Sequence, residues 1–357
     1  MYKPNFTVTS KLLSEISEIA EIKSVVERSR VLPLNEAQLR REAIARMTHT
    51  STSIEGNKLA QYQVDKVLSG MSVQADEKSI LEVKNYQKAL QEVGKMAESK
   101  TLGIEDILHL HGIVMEDLVE EKKLAHFRPG TIYVVDDYGD GREKLRYEGP
   151  PPEKVAFLIN ELLKWLAQTK KEFLHPVIKA ALFHYQFVKI HPFTDGNGRM
   201  ARLLVNLILY RENWDFRKVI VLEDYYNRDR IVYYNALTAS DGEKYHEGKD
   251  VTPWIEYFVQ GFLIEARKAE EKITSMGFGK VTESSEQIFL DRDEIQIMDF
   301  LTTTGRITSQ DVQDILKVAK RTAQLKLKTL VDKGLLRTLG SGPSTFYVIA
   351  FSDPIAR

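Results

Sequence analysis

The run from Leu203 to Tyr210 is apolar on nearly every side, and a helix of that kind has no face to offer water. It must be wrapped by other elements, so the chain is expected to fold as a helical domain with this helix at its centre. The material suffices: 357 residues, 43% of them hydrophobic, can bury a sizeable core and leave room for a large domain plus a smaller one. Directly before the apolar run stands His191-Pro192-Phe193-Thr194-Asp195-Gly196-Asn197-Gly198-Arg199-Met200-Ala201-Arg202. No other dozen residues concentrate as much chemistry.

Upstream, Leu12, Ile16, Ile19, Ile22 and Val26 recur at helical spacing after the capping candidates Thr9 and Ser10. Leu13 and Val25 are counted with the same apolar set. A second helix is expected from an Asn35 cap to a stop at Gly56, ending in Ser51-Thr52-Ser53-Ile54-Glu55-Gly56-Asn57. Further helical patterns cover Tyr62 to Leu68, Ile80 to Val93 and Ile104 to Leu118. The pattern changes at Phe127-Arg128-Pro129-Gly130, where the β-prone run from Thr131 to Val135, the turn residues 136–141 and Leu145 to Tyr147 predict a hairpin. Pro150, Pro151 and Pro152 close it and open a helix carrying Val155, Phe157, Leu158, Leu162 and Trp165. A strongly apolar helix from about Pro176 to Ile190 leads into the motif.

Several classes are excluded. The chain has no cysteine, which removes disulfides, thiolate nucleophiles and cysteine-bound metals. Its 50 basic and 51 acidic residues give no global attraction to nucleic acid or an anionic membrane. No apolar stretch reaches membrane-spanning length and no signal-like run follows the start, so the expectation is a cytoplasmic protein with no membrane partner.

The motif reads as a phosphate-handling site. Gly196 and Gly198 permit a turn whose amides converge at the start of the next helix, an anion site by geometry and dipole. Arg199 and Arg202 are three residues apart and offer two guanidinium forks to a polyphosphate. Asp195 is a hard ligand for Mg²⁺ carried by a nucleotide, and His191 is a base near neutral pH. His109, His111 and His184 sit in helical, largely apolar surroundings and read as packing residues.

Residues His191 to Arg202 match, position by position, the signature His-x-Phe-x-Asp/Glu-Gly-Asn-Gly-Arg-x-x-Arg of Fic domains, and the chain from about Glu36 to Val259 resembles a Fic protein adenylyltransferase. The resemblance implies a mainly α fold, a Fic-type helical bundle with a small β-hairpin flap. It implies transfer of AMP from ATP to a protein hydroxyl with loss of pyrophosphate, with ATP as substrate and Mg²⁺ alongside. His191 would deprotonate the target hydroxyl and Asp195 would hold the metal. The helix start Gly196, Asn197, Gly198, Arg199, Met200, Ala201 and Arg202 would bind ATP, with Asn197 on the α-phosphate side and both arginines on the outer phosphates. Tyr234 falls where the family places an adenine contact, and the hairpin would add a strand of the target. The phosphorylating Doc branch carries lysine in place of Gly198, so AMP transfer is favoured. Ser51-x-x-x-Glu55-Gly56 resembles the family's inhibitory helix, in which Glu55 pairs with Arg202 and denies it to the γ-phosphate.

The tail from Glu294 reads as three helices and a hairpin, a winged helix-turn-helix. Lys317, Lys320, Arg321, Lys326, Lys328, Lys333 and Arg337 make DNA a candidate partner. The expected organisation is an N-terminal helical region over 1–110 with the inhibitory helix at about 36–56, the Fic core over 111–273, a linker over 274–293 and the winged module over 294–357. A protein substrate, which can include the chain itself, and a homodimer are the other expected partners. Two alternatives use the same residues: a DNA-binding regulator whose core senses nucleotide, and an enzyme in which Glu55 orients water to remove AMP.

Overall fold

The computed structural model describes residues 2–29, 31–98, 101–137, 143–169, 174–240, 242–277, 290–342 and 345–350. The described residues form fourteen α-helices and two small antiparallel hairpins, and none of these helices is long and apolar enough to cross a membrane.

Helix α1 (Ser10–Arg28) starts where the Thr9 hydroxyl accepts the Leu12 N–H at 3.2 Å. It buries Leu12, Ile19, Ile22 and Val26, while Leu13 and Val25, one step off that row, are exposed. Helix α2 (Pro33–Ile54) begins two residues before Asn35, because proline at the first helical position lacks only an N–H that would be unpaired anyway. It ends at Glu55, and Gly56 with φ +98° turns the chain away. Three helices follow, α3 (Gln61–Leu68), α4 (Glu77–Met96) and α5 (Ile104–Met115).

Strands β1 (Tyr133–Asp137) and β2 (Glu143–Glu148) pair antiparallel, with a register shift between Val134, opposite Tyr147, and Val135, opposite Leu145. Arg146 is the extra residue of this bulge, which bends the strand and re-aims its side chain. The hairpin tip, 138–142, lies outside the described residues. Helix α6 (Pro152–Gln168) buries Val155, Leu158, Ile159 and Leu162, but Phe157 projects from the opposite side and is exposed.

Helices α7 (Pro176–Ile190) and α8 (Asn197–Arg211) pack side by side. From Leu203 to Leu209 no residue of α8 is more than 7% exposed, so it is the central helix its all-round apolar pattern requires. Around it stand α2, α4 and α5, followed in the chain by α9 (Leu222–Arg228), α10 (Arg230–Thr238) and α11 (Thr252–Gly277), whose length packs on α1. Helix α11 runs past residue 274, where the linker was expected to start; 278–289 lie outside the described residues.

The tail consists of α12 (Arg292–Thr304), α13 (Ser309–Leu316), α14 (Lys320–Asp332) and the hairpin β3 (Leu336–Leu339) with β4 (Phe346–Ile349). Its core of Ile297, Leu301, Ile307, Val312, Leu327, Leu330 and Ile349 also takes in Ala37 of α2. The tail therefore has its own core yet sits directly on α2, where Arg40 pairs with Asp299. Two of its cations are neutralised at home, Lys326 by Asp291 and Asp293 and Lys333 by Glu294.

Candidate active site

The site forms where α7 stops and α8 begins. His191 terminates α7 in the left-handed region (φ 50°, ψ 62°), its N–H donating to the Phe187 carbonyl at 3.0 Å. A non-glycine residue there costs about 1–3 kcal/mol and is kept only when its surroundings over-determine it. The imidazole Nδ1 lies 3.1 Å from the Val188 carbonyl. A carbonyl only accepts, so Nδ1 carries the proton and Nε2 keeps its lone pair. Burial lowers the His191 pKa to about 4, despite Glu55 and Asp195 pulling the other way, so the ring is neutral at pH 7.

The loop after His191 is fixed from within. Asn197 accepts the Phe193 N–H and donates to the Phe193 carbonyl, each at 2.8 Å, and is buried. With its amide oxygen and one N–H engaged, Asn197 shapes the loop, and it also lines the cleft. Phe193 stacks on His111 at 3.7 Å between ring centroids. His111 Nδ1 accepts the Ala125 N–H, so its Nε2 donates to the Asp195 carbonyl at 3.1 Å. His111 thus does more than pack: it buttresses the motif, whereas His109 is exposed near Glu92 and His184 is enclosed by Tyr226, Tyr233 and Trp254.

Gly196 has φ +83°, and a side chain there would lie 2.7 Å from the Met115 sulfur. The N–H groups of Asn197, Gly198 and Arg199 precede the first bond of α8, from the Met200 N–H to the Gly196 carbonyl at 2.9 Å. Met200 and Ala201 have no exposed surface, so their side chains serve the core and not a ligand.

The two arginines part company. Arg202 is 2% exposed; its Nε donates to the Ser51 hydroxyl at 2.8 Å and its Nη2 to the Ser51 carbonyl at 2.9 Å and to Glu55 at 2.8 Å. Burial disfavours its charge, yet Glu55 together with Tyr233 and Tyr86 holds the guanidinium above its ordinary pKa. Its Nη1 has no hydrogen-bond partner among the described residues and stands 3.1 Å from where a Cβ on Gly198 would be. That same Cβ would be 2.3 Å from the Glu55 carboxylate, so Glu55 rests over Gly198 in space that only glycine leaves open. Arg199 turns sideways, bonding Asp195 at 3.1 Å and lying 3.7 Å from Glu82, whose other oxygen accepts from Asn57.

These groups open on a cleft of about 380 Å³ whose far side is the hairpin, Ile132 to Val135, Arg146 and Tyr147, and whose rim is Tyr233, Tyr234, Leu237 and Thr238. The bulge places the Arg146 guanidinium 5.4 Å from the Tyr234 ring centroid and 3.2 Å from Asn235. Asp195 is 53% exposed at the cleft floor. Among the described residues no three His, Cys, Asp or Glu side chains cluster as a metal site. One accessible carboxylate suits a cation that arrives with a polyphosphate, the phosphates and water completing its shell.

Sequence reading passed over Arg128, Arg146, Glu82 and the buttressing role of His111. An arginine just before Pro129-Gly130 and a β-prone run was the available signal for the first.

The Fic/DOC family model matches residues 101–209. The protein adenylyltransferase Fic of Nematostella vectensis is 30% identical over 259 residues, 71% of this chain and 55% of that protein. Protein adenylyltransferase fic-1 of Caenorhabditis elegans is 27% identical over 289 residues, 79% and 52% of the two chains. The chain thus spans about half the length of the curated relatives it matches. Among solved structures, a Fic family protein from Desulfovibrio desulfuricans G20 superposes with a TM-score of 0.63 at 26% identity over 98% of both chains. The motif, the helical bundle and these likenesses all point to the Fic/DOC family over residues 101–209.

Proposed function

We propose that this chain transfers AMP from ATP to a hydroxyl of a protein and that the end of α2 restrains the reaction. The observation that carries this reading is the neutral His191, with its Nε2 lone pair available, at a cleft that also holds the start of α8 and a buried Arg202 with one nitrogen unpartnered among the described residues. Base, anion cradle and cation are the parts that in-line attack at a phosphorus requires.

In the forward step the target oxygen bonds to the α-phosphorus and His191 Nε2 takes its proton. The bond to the bridging oxygen of the β-phosphate breaks and pyrophosphate leaves. The N–H groups of Asn197, Gly198 and Arg199 face the charge that develops. Asp195 would hold Mg²⁺ that comes with the nucleotide, neutralising the leaving phosphates, and Arg199 fixes that carboxylate from the side. Tyr234, faced by Arg146, lines the end of the cleft suited to the base. Strand β2 is engaged at its end by residues 243–245, and β1 carries the exposed Tyr133 and Val135, so β1 is the edge for an added target strand.

Restraint follows from Arg202. While Glu55 and Ser51 occupy Nη2 and Nε, the guanidinium cannot turn fully to an outer phosphate, and Glu55 over Gly198 fills part of the anion site. The reading is tested by incubating the wild type, Glu55→Gly and His191→Ala forms with ATP labelled at the α- or the γ-phosphorus, in cell extract. Label from the α-position alone is expected on protein, strongest with Glu55→Gly and absent with His191→Ala; label from the γ-position alone would refute AMP transfer.

A further inference from the structure

Helix α7 ends with four carbonyls, Val188 to His191, that have no onward helical partners, and three of the four take their donors from outside the motif. Val188 accepts from the His191 ring. Lys189 accepts the Tyr147 hydroxyl of β2 at 2.7 Å. Ile190 and His191 both accept from Arg128, at 3.4 Å from Nη2 and 2.7 Å from Nε. The same guanidinium donates to the Gly130 carbonyl at 2.6 Å and the Pro150 carbonyl at 2.5 Å, the two feet of the β1–β2 hairpin. The Arg128 N–H adds a bond to the Pro192 carbonyl at 2.9 Å.

Arg128 is 4% exposed, and among the described residues its guanidinium donates to backbone carbonyls. Glu153 acts on it through space, but no carboxylate pairs with it directly among the described residues, and a buried cation without such a partner is costly. Carbonyls at the negative end of a helix dipole are among the few groups that can hold one. A lysine at this place would offer one compact head in place of a planar fork with five N–H groups. The bonds to Ile190 and His191 also hold the carbonyl of a residue kept at positive φ, so they favour the backbone angle that aims the His191 ring.

We propose that Arg128 is a positioning residue for the transfer reaction: by capping α7 and clamping both feet of the hairpin, it sets the catalytic imidazole and the target-binding strand at one fixed distance. This rests on the AMP-transfer reading for its kinetic consequence, though not for its structural one. A misplacement on the order of 1 Å between base and substrate can cost about 100-fold in rate. The cleft groups that would meet the phosphates are not among the guanidinium's partners, so nucleotide affinity should survive its loss.

The test uses the full chain with Glu55→Gly as parent. Arg128→Gln, Arg128→Lys and Tyr147→Phe are compared for transfer of α-labelled phosphate to protein, for affinity toward a non-hydrolysable ATP analogue, and for the His191 tautomer by ¹⁵N NMR of histidine-labelled protein. Arg128→Gln is expected to lower kcat about 10–100-fold, leave analogue affinity within about twofold, and lose the pure Nδ1–H tautomer of His191. Arg128→Lys should fall between, and Tyr147→Phe should show a smaller loss in the same direction. If Arg128→Gln does not fold, the other two variants decide. Unchanged turnover and tautomer in folded variants would overturn the proposal, as would a loss explained wholly by weaker analogue binding. A parent that transfers no label refutes the AMP-transfer reading instead, and the tautomer then decides whether Arg128 positions the ring.

Discussion

The two walls of the cleft are held in opposite ways. The α7–α8 wall is built from apolar helices whose ends are tied by Arg128, Asn197 and His111 to backbone atoms. The facing wall, the last three turns of α2, buries Thr48, Thr50, Ser51 and Thr52. Three of these hydroxyls turn back on their own helix, Thr48 to Ile44, Thr50 to Arg46 and Thr52 to Thr48. Met47 and Ile54 on the same turns join the apolar core, while the polar face is joined to α8 by the bonds of Arg202 to Ser51 and Glu55. The opposite end is gripped by Arg217–Glu36, Arg40–Asp299 and the tail core. One wall closes on its own backbone, while the other meets the site through Ser51 and Glu55 on a guanidinium that also lines the cleft.

Breaking the fixed wall should give the largest effect. His191→Ala removes the base, and general-base catalysis contributes about 10²–10⁴-fold; transfer from α-labelled ATP should fall by that much, with the fold unchanged by circular dichroism.

Releasing Arg202 from the α2 wall comes next. A hydrogen bond to a charged group contributes about 1.5–3 kcal/mol, so Glu55→Gly should raise transfer about 10–100-fold. Added ATP and Mg²⁺ should then lift the thermal midpoint further in the variant than in the wild type, because binding no longer competes with Glu55. Equal activity in the two forms would mean that the α2 wall does not restrain the reaction.

The pH profile sharpens the contrast without a mutation. On the proposed AMP-transfer reading the base form of His191 acts, and its pKa is lowered to about 4 by burial. Transfer by Glu55→Gly should therefore stay flat from pH 8 down through the ordinary histidine range and decline only as pH approaches that value. A midpoint near an unperturbed histidine would show that the ring is more solvated than this wall allows.

Ser51→Ala should have the smallest effect, since Arg202 keeps its bonds to the Ser51 carbonyl and to Glu55. The loss of one net bond of about 0.5–1.5 kcal/mol predicts a two- to tenfold rise in transfer, measured in the same assay. It should add little on top of Glu55→Gly, because both act on one guanidinium.

Much of this was legible in the residues. The surround of α8, the hairpin, the stops at Gly56 and His191 and the anion-binding start of α8 follow from patterns a few residues long. Other features were not. Leu13 and Phe157 were counted with apolar faces from which their helices rotate them away. Met200 and Ala201 lie inside the motif, yet the fold directs their side chains to the core. Arg199 and Arg202 share a spacing, but only Arg202 lines the cleft, because Asp195 and Glu82 draw Arg199 aside.

By itself the sequence determined the local chemistry: a turn that exposes amides, a histidine at a helix end and a buried helix behind them. These depend on backbone preference and periodicity, which neighbouring residues settle. Only the tertiary structure decided which distant groups meet. Nothing in residues 51–57 says which of 50 basic residues Glu55 will face, and that pairing was available beforehand only through a family resemblance. Arg128 reaching His191 across 63 residues had no such guide. Long-range contacts depend on how whole helices pack, and the pattern of each element fixes which face is buried without fixing what it is buried against.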